Sequence, residues 1–350
     1  IDGNTEIVIE SSRKAIDEHA ADMIVFPELT LTGYPMEDLL LRPSLKNRID
    51  KAIEKILSTN LDITIVLGYP SFSNSKLYNA LGVLHRGEII ATYFKRCLPN
   101  YQVFDEKRYF EPGNETCIVE IRNIRCAFTI CEDLWEEGPT RDAKSAGAQI
   151  LININASPFH IDKLKERKAL LQTRCRQVGF PIIYVNLVGG QDELVFDGDS
   201  MVVDAEGQCC FLAPSFKESI YPVLISVGAE GDIELSSQLV TPDLSLEESV
   251  YQSLVLGVKD YVEKNKFAGV VLGLSGGIDS ALTLAIATDA LGEDKVQAVM
   301  MPFEYTSKLS LEAAAKQAKR LNVKYTLVPI NEVYKAFMSA LDEEFTDTDP

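Results

Sequence analysis

Cys131 is a candidate reactive residue because of its type and its neighbours in the sequence. It ends the apolar run RCAFTIC and is followed at once by Glu132 and Asp133. Two carboxylates beside a thiol disfavour the thiolate, which is the form that attacks carbon or binds a metal. A metal site would want a second cysteine or histidine at ligand spacing, and the seven cysteines form no C-x-x-C pair. A reactive Cys131 therefore needs a cation or a base from elsewhere in the chain.

Glu28 and Lys95 are the candidates for that cation and base. Glu28, in VFPELTLTGYP, ends a predicted buried strand, where burial should raise the pKa of a carboxylate toward that of a working base. Lys95, in YFKRCLPNYQVFDEKRYF, follows a strand among aromatic residues that could strip water from its ammonium. Each has a plainer interpretation, since glutamates at strand ends are usually solvated and lysines usually extend to solvent. None of the three histidines lies in a string typical of cysteine–histidine amidases, so the predicted base is not histidine.

The order of these three residues resembles that of the nitrilase (carbon–nitrogen hydrolase) superfamily, whose Glu, Lys and Cys occur in FPE, FxK and C-E-D/N contexts. The resemblance covers residues 1–235. It implies that Glu28 is the general base, that Lys95 stabilises the oxyanion of a tetrahedral intermediate, and that Cys131 is the nucleophile of a thioester. It also implies that the Lys95 ammonium offsets Glu132 and Asp133 so that a thiolate can form, with Glu132 orienting Lys95 or the substrate amide.

The same resemblance implies contacts with the amino acid glutamine. The residues that match glutamine-contacting positions of the superfamily are Tyr101, Glu132, Ser157 and Lys163. Lys163 could bind the α-carboxylate of glutamine. It could equally be one more exposed cation at the start of a helix.

A second segment with chemical potential is SGGIDS, which follows a predicted strand and precedes a predicted helix. Consecutive backbone N–H groups and a helix N-terminus then surround one concave spot, which favours an anion such as phosphate. The loop lacks the lysine of a Walker A loop and does not fit G-x-G-x-x-G. A glycine-rich turn without a ligand is the plainer alternative. The full string resembles the pyrophosphate loop of the ATP pyrophosphatases, which implies that Asp279 binds Mg²⁺ and that the ATP phosphates are held by Gly273, Leu274, Ser275, Gly276, Gly277, Ile278, Asp279 and Ser280.

The elements that must position these residues fall into two regions. Residues 1–235 alternate helical patterns with β-branched apolar runs, and VFDGDSMVVDAEGQCCFLA predicts a hairpin with Glu206 and Gly207 in its turn. Residues 236–245 form the predicted linker, and 246–350 predict strands alternating with helices, as in a parallel sheet. The resemblances imply an α/β class: a nitrilase-like α-β-β-α sandwich, then a doubly wound, adenine-nucleotide α-hydrolase-like domain. We expect a first strand to be missing and the second domain to be incomplete, as in a fragment.

Composition restricts the function classes. Against 34 basic residues stand 52 acidic ones, and this net charge of −18 argues against nucleic acid and anionic lipid as partners. Small-molecule substrates are the better expectation. There is no apolar run of about 20 residues and no secretory signal pattern. Scattered cysteines indicate a reducing compartment, so the sequence predicts a cytoplasmic protein without a membrane partner.

The two motifs together have a chemical logic, because an amidase releases ammonia and an ATP pyrophosphatase activates an oxygen for displacement. The strings ELTLTGYPMEDLLLRPS, NYQVFDEKRYFEPG, CEDLW and MMPFEYTS resemble the glutamine-dependent NAD synthetase family. That resemblance implies a homo-oligomeric ligase that uses ATP, Mg²⁺ and glutamine-derived ammonia to amidate deamido-NAD. Two alternatives are an ammonia-dependent synthetase with a degenerate amidase domain and a non-catalytic scaffold or binding subunit. Ammonia release from glutamine, with and without alkylation of Cys131, distinguishes them.

Overall fold

The computed structural model describes residues 1–73, 75–228, 232–236, 239–342 and 344. The chain divides into two compact units, Ile1–Ser249 and Val250–Pro350, which are described separately. Residues 237 and 238 of the predicted linker, and most of the acidic end of the chain, lie outside the described residues. The predicted domain boundaries stay predictions. No helix in the described part of the chain is both long and apolar enough to cross a membrane.

The first unit alternates helices and strands, as its sequence patterns predict. Its elements, in chain order, are α1 Asp2–His19, β1 Met23–Val25, α2 Ser44–Ser58, β2 Thr64–Ser73, β3 Lys76–His85, β4 Glu88–Phe94, β5 Cys117–Ile121, β6 Ile124–Ile130, α3 Glu137–Ser145, β7 Ile150–Asn155, α4 Lys163–Val178, β8 Ile182–Asn186, β9 Val188–Gln191, β10 Leu194–Asp197, β11 Met201–Val203, β12 Cys209–Leu212, β13 Ile225–Val227 and β14 Ile233–Leu235.

Two mixed sheets form the body of the first unit. Among the described residues, one sheet has the strand order β1-β2-β3-β4 and the other the order β12-β11-β8-β7-β6-β5. Strands β6, β7 and β8 run parallel, and the strands flanking them are antiparallel. The carboxyl ends of β6 and β7 therefore lie side by side, and these are the strands after which Cys131 and Ser157 follow.

The two faces of the larger sheet bury different partners, because side chains alternate along a strand. Ala127 and Leu151 pack with Leu171 of α4. Their neighbours Phe128 and Ile152 point the other way and pack against the first sheet. Helices α1 and α2 cover the other face of the first sheet in the same manner. This arrangement is the α-β-β-α sandwich that the resemblance implies.

The predicted hairpin at residues 206 and 207 is confirmed. Strands β11 and β12 pair antiparallel, and Gly207 between them has φ +84°. The strand predicted directly before Lys95 is confirmed as β4, whereas the sequence patterns made no prediction for its antiparallel neighbour β3. Strand β4 matters for function because Lys95 follows it directly.

The second unit is a parallel α/β layer. After α5, Leu246–Lys264, the chain forms β15 Val270–Gly273, α6 Ile278–Leu291, β16 Val296–Met300, α7 Lys308–Arg320, β17 Lys324–Leu327 and α8 Asn331–Leu341. Within the residues described, these strands form a parallel sheet in the order β15-β16-β17. The strand, turn and helix predicted around residues 273–280 are confirmed, as is the alternation that follows.

Candidate active site

Glu28, Lys95 and Cys131 come together in the first unit, although 67 residues separate the first two. Lys95 Nζ donates to Glu28 Oε1 at 2.7 Å, and both residues are 1% exposed. The other Glu28 oxygen accepts from the backbone N–H of Ala156 at 2.9 Å, and Asn79 Nδ2 donates to Oε1 at 2.7 Å. The carboxylate is therefore held from three directions in a nearly dry site.

The turn that carries Glu28 packs against β2 at a glycine. A Cβ atom at Gly68 would lie 2.5 Å from the backbone N of Leu29 and 2.7 Å from the carbonyl O of Pro27. Any larger residue would push the turn away from the sheet. The close approach of backbone to backbone thus brings Glu28 into the site.

A second buried glutamate, Glu106, completes the surroundings of Lys95. Lys95 Nζ donates to Glu106 Oε1 at 2.7 Å, and the hydroxyl of Tyr34 donates to the same oxygen at 2.9 Å. No sequence pattern indicated Glu106, because it lies among charged residues in DEKR, where a solvated loop is expected. Its aromatic flanks, Phe104, Tyr109 and Phe110, were the available signal of burial.

The charges of this cluster set unusual proton affinities. Burial raises the pKa of Glu106, and Lys95 only partly offsets it, which leaves the value at about 7. Burial also opposes the positive charge of Lys95, but Glu106 and Glu28 outweigh that effect and hold its pKa well above the ordinary value. Lys95 therefore stays an ammonium at physiological pH.

Cys131 opens a short 3-10 helix, Cys131–Leu134, directly after β6. Its φ is +43°, a left-handed conformation that costs a non-glycine residue about 1–2 kcal/mol. The side chain is buried, with 4% of the residue exposed. A strained turn between a strand and a helix points a nucleophile away from the sheet, and nothing in the sequence pattern indicated this strain.

The expected thiolate is a wrong prediction. Burial raises the pKa of the Cys131 thiol well above its ordinary value, and Glu28, Glu106 and Glu132 raise it further, whereas Lys95 lowers it. One ammonium does not offset three carboxylates together with desolvation. The resting site therefore holds a thiol.

Glu132 does not orient Lys95. Its carboxylate instead accepts from the hydroxyl of Tyr101, at 3.0 and 3.2 Å to the two oxygens. Burial raises the pKa of Glu132, while the Tyr101 hydrogen bond and the charge of Lys95 lower it. These two residues line an open cleft of about 670 Å³, together with Glu136 and parts of segments 96–100 and 107–112.

Ser157 lies just beyond the carboxyl end of β7 and is buried in a polar network. Its N–H donates to Asn186 Oδ1 at 2.9 Å, and Arg167 donates to its hydroxyl at 3.2 Å and to its carbonyl at 2.7 Å. Arg167 is fully buried and pairs with Asp197 at 2.7 Å. Ser157 is thereby fixed beside Ala156, whose N–H holds Glu28.

Lys163 is the first residue of α4, and it is not simply an exposed cation. Its Nζ lies 4.2 Å from the centroid of the Trp135 ring and 3.1 Å from Glu166 Oε2. Its charge also lowers the pKa of Glu132. Lys163 therefore lies on the same side of the site as Tyr101 and Glu132.

The SGGIDS loop of the second unit connects β15 to α6, where the sequence places it, and its binding of an anion stays a prediction. Ser275 and Ser280 join their hydroxyls at 3.0 Å, and the N–H of Gly277 donates to Ser275 Oγ at 3.2 Å. Gly276 has φ +83°, and a Cβ there would lie 2.3 Å from the carbonyl O of Ser310 in α7. The loop therefore needs glycine both for its conformation and for its packing.

Asp279 lies in the first turn of α6, which begins at Ile278 after Gly277 as N-cap. It is exposed, and the helix start has no side-chain cap hydrogen bond. The described residues contain no group of three or more His, Cys, Asp or Glu that could hold a metal ion alone. Mg²⁺ is often bound by one or two carboxylates plus phosphates, so a single exposed carboxylate beside a phosphate cradle fits that ion.

Comparison with known proteins agrees with both halves of this description. Residues 1–230 match the carbon-nitrogen hydrolase family and residues 250–349 the NAD synthase family. A glutamine-dependent NAD(+) synthetase of Acinetobacter baylyi is 42% identical over 345 residues, which are 97% of this chain. The chain spans 62% of the length of that curated relative.

Solved structures give the same relationship. The glutamine-dependent NAD+ synthetase of Acinetobacter baumannii, in complex with ADP, matches with a TM-score of 0.94 and 41% identity over all of this chain and 66% of that one. A Nesterenkonia AN1 amidase of the nitrilase superfamily matches with a TM-score of 0.56 and 23% identity, over 61% of this chain and 80% of its own, which shows a shared fold. With the family match extending over residues 1–230, the chain belongs to the carbon-nitrogen hydrolase family.

Proposed function

We propose that the first unit hydrolyses glutamine to glutamate and ammonia at Glu28, Lys95 and Cys131. The observation that carries this proposal is the Lys95 ammonium, fixed between two buried glutamates beside a buried thiol. A structural cysteine needs neither a charged cluster nor a strained turn. The NAD(+) synthetase relatives support glutamine as the amide, since their names specify it.

The reaction follows from the proton affinities of the cluster. Because Cys131 rests as a thiol, Glu28 accepts its proton while sulfur attacks the amide carbon of glutamine. The C–S bond forms as the carbonyl π bond opens, and Lys95 stabilises the oxyanion with its positive charge. Glu28 then returns the proton to the departing nitrogen, the C–N bond breaks, and ammonia leaves. Water, deprotonated by Glu28, attacks the thioester, which releases glutamate and restores the thiol.

Four residues are proposed to bind or surround the amino-acid part of glutamine. Lys163 has the charge for the α-carboxylate, and Tyr101 and Glu132 present polar groups to the same cleft. Ser157 is buried and fixed by Arg167, so its part is to shape the inner wall. The Lys163 side chain is held against Trp135 and Glu166, and its charge lowers the pKa of the cleft residue Glu132.

The second unit is proposed to hold ATP by its phosphates at residues 273–280. Exposed backbone N–H groups, two serine hydroxyls and the start of α6 support this, as does the ADP complex of the Acinetobacter baumannii relative. Asp279 would hold Mg²⁺, which supplies charge neutralisation of the phosphates when bound. The substrate to be amidated is proposed to be deamido-NAD, activated as an adenylate and released as NAD when ammonia displaces AMP. Homo-oligomerisation and a cytoplasmic location stay predictions.

The test is ammonia release from glutamine by the full chain. We expect equal amounts of ammonia and glutamate, loss of both after iodoacetamide modifies Cys131, and a γ-glutamyl hydroxamate when hydroxylamine intercepts the thioester. Peptide mapping by mass spectrometry separates Cys131 from the other cysteines. Ammonia release that continues after complete alkylation of Cys131 would contradict the proposal. NAD formation from added ammonia alone would instead support the synthetase with a degenerate amidase, and neither activity would support the scaffold.

A further inference from the structure

Asp133 is a buried carboxylate that the mechanism above does not use. It is 0% exposed, and four donors converge on it. Its Oδ1 accepts from the backbone N–H groups of Arg96 at 3.0 Å and Cys97 at 2.7 Å. Its Oδ2 accepts from the backbone N–H of Ile130 at 3.0 Å and the hydroxyl of Tyr93 at 2.8 Å. A carboxylate has about four acceptor positions, so Asp133 is fully occupied.

The four donors belong to the two segments that carry Cys131 and Lys95. Ile130 precedes Cys131, whereas Tyr93, Arg96 and Cys97 flank Lys95 on both sides. One side chain therefore connects the strained turn of the nucleophile to the strand end that presents the ammonium. The distance between sulfur and Nζ depends on this connection, since both side chains project from backbone that Asp133 holds.

The nucleophile turn requires such support. Cys131 has φ +43°, and strained backbone persists only where its surroundings determine it more strongly than the strain opposes it. The 3-10 helix Cys131–Leu134 is one turn long and has little stability of its own. Arg174 binds the carbonyl oxygens of Leu134 and Trp135 at the far end of that turn. Asp133 is the corresponding attachment at the near end.

The hydrogen bonds also explain why a charged residue is tolerated here. Burial raises the pKa of Asp133, and the N–H groups of Ile130 and Cys97 and the Tyr93 hydroxyl lower it again. The guanidinium of Arg96 turns away and pairs with Asp142 at 2.8 Å, so backbone and hydroxyl groups rather than a cation hold the Asp133 carboxylate. The sequence predicted that Asp133 disfavours the Cys131 thiolate. The leading influences on the Cys131 pKa are instead burial, other carboxylates and Lys95.

We propose that Asp133 is a positioning residue for the amidase reaction: it fixes the spacing of Cys131 and Lys95 by binding the backbone on both sides. This rests on the proposed glutaminase function and adds a residue whose contribution is geometric. An asparagine at 133 would keep the shape but replace one acceptor oxygen with a donor, which must then face another donor. Misplacement of reacting groups by about 1 Å can cost about 10²-fold in rate.

The experiment compares three variants of the full chain. Asp133→Asn disrupts the four hydrogen bonds to this carboxylate, and Tyr93→Phe removes one of the four donors. Asp142→Asn removes the carboxylate that binds the Arg96 side chain and leaves the Arg96 backbone contact to Asp133 intact. Glutamine hydrolysis is measured as kcat and KM across pH. Rates are divided by the amount of Cys131 that iodoacetamide can label, and folding is followed by thermal melting.

We expect kcat per labelled site to fall about 10²-fold in Asp133→Asn, with KM changed little and the pH profile unshifted. Tyr93→Phe should lower kcat by a smaller factor, roughly fivefold to tenfold, because three of the four donors to Asp133 remain. Asp142→Asn should match the wild type. Tyr93→Phe retains three donors, so it decides the question if Asp133→Asn does not fold.

Three results would overturn the positioning role. If Asp133→Asn or Tyr93→Phe folds and leaves kcat per labelled site unchanged, the substituted residue has a structural role only. A pH profile displaced to lower pH in Asp133→Asn would show that its charge acts on the thiol. A rise in KM with kcat per labelled site unchanged would place it in substrate binding. A wild-type chain that releases no ammonia would instead contradict the proposed function itself, and the positioning role with it.

Discussion

The two candidate sites differ in how deeply their polar groups are buried and bound to other protein groups before any ligand binds. In the first unit, Glu28 and Lys95 are each 1% exposed and already bind protein groups. In the second unit the loop residues Ser275, Gly277 and Asp279 are exposed, and Ile278 is 79% exposed. One site is assembled inside a core, and the other presents its donors to solvent.

This contrast teaches what each arrangement is suited to. Charges in a low-dielectric interior interact strongly and need no reorganisation during a reaction, which suits bond breaking. In the exposed loop, the N–H groups of Ser275 and Gly277 donate to serine hydroxyls of the loop itself, partners that an arriving anion can replace, which suits recognition of phosphate. Substitutions in the buried site should therefore affect rate and stability together, whereas those in the loop should affect binding alone.

The largest expected effect is that of Cys131→Ala, which should reduce ammonia release from glutamine to background. The reason is that the proposed thioester forms on the Cys131 sulfur. ATP binding at residues 273–280 should be unchanged, as measured by calorimetry on the same preparation. Cys117→Ala, which alters a half-buried cysteine of β5, is the matched control and should keep its activity. Residual thioester-dependent turnover in the alanine variant would show that the nucleophile is elsewhere.

Lys95→Met should lower glutaminase kcat by about 10²–10³, the usual cost of losing one oxyanion donor. The protein should still fold, because Glu106, whose pKa is already raised to about 7, can take up a proton when the cation is gone. The melting temperature of this variant should accordingly fall more at pH 8 than at pH 6. Lys76→Met removes an exposed lysine paired with Glu111 and serves as the control. Near-normal turnover in Lys95→Met would assign the oxyanion to another donor and leave Lys95 a structural role.

The sequence predicted more of the residues of the loop site than of the amidase site, because prediction depends on how close the residues of a site lie along the chain. Residues 273–280 are contiguous, so a strand, two glycines and a helix could be recognised together. The amidase site depends on contacts across long stretches of chain: Tyr34 reaches Glu106 over 72 residues, and Ala156 reaches Glu28 over 128. Residues with a local signature, such as Glu28 and Cys131, could be found. Glu106 could not, because its burial depends on elements that only the fold brings together.

Charge assignments from neighbours in sequence held for Glu132, which raises the pKa of the Cys131 thiol, but not for Asp133. Asp133 follows Cys131 by two residues, yet its carboxylate binds Tyr93 and the backbone of Arg96 and Cys97. Glu106 is far from Cys131 in sequence, yet it raises the pKa of that thiol. Electrostatics depends on distance in space and on burial, and neither can be read from adjacency along the chain.

Asp279→Ala tests the exposed site and should weaken magnesium-dependent ATP binding by about 10–100-fold, as expected for the loss of one charge-assisted contact. Stability should change little, since Asp279 is exposed and is not the N-cap of α6. Gly277 occupies the N-cap position and the helix start has no side-chain cap hydrogen bond, so the substitution removes no cap. Isothermal titration of ATP across magnesium concentrations measures the effect, and glutamine hydrolysis should be spared. Unaltered magnesium dependence would reject the metal role.

The smallest expected effect concerns the pH dependence of stability, which Glu106→Gln should alter. The folded pKa of Glu106 is raised from 4.5 to about 7, mainly by burial, so the folded state binds a proton more tightly than the unfolded state. The favourable contribution of this group is complete below about pH 4.5 and is lost as pH rises through about 7.

Glutamine at position 106 stays neutral and can still accept from Lys95 and Tyr34 through its oxygen. Its amide nitrogen would take the place of Oε2, which has no hydrogen-bond partner among the described residues. The unfolding free energy of Glu106→Gln relative to wild type should therefore increase between pH 5 and pH 8, by about 1–3 kcal/mol. Chemical denaturation at the two pH values measures this difference. Glu111→Gln, at an exposed carboxylate nearby, should show none. A difference that stays constant or decreases with pH would mean that Glu106 is ionised throughout this range. The resting site would then hold the Glu106 carboxylate as a charged group beside Lys95.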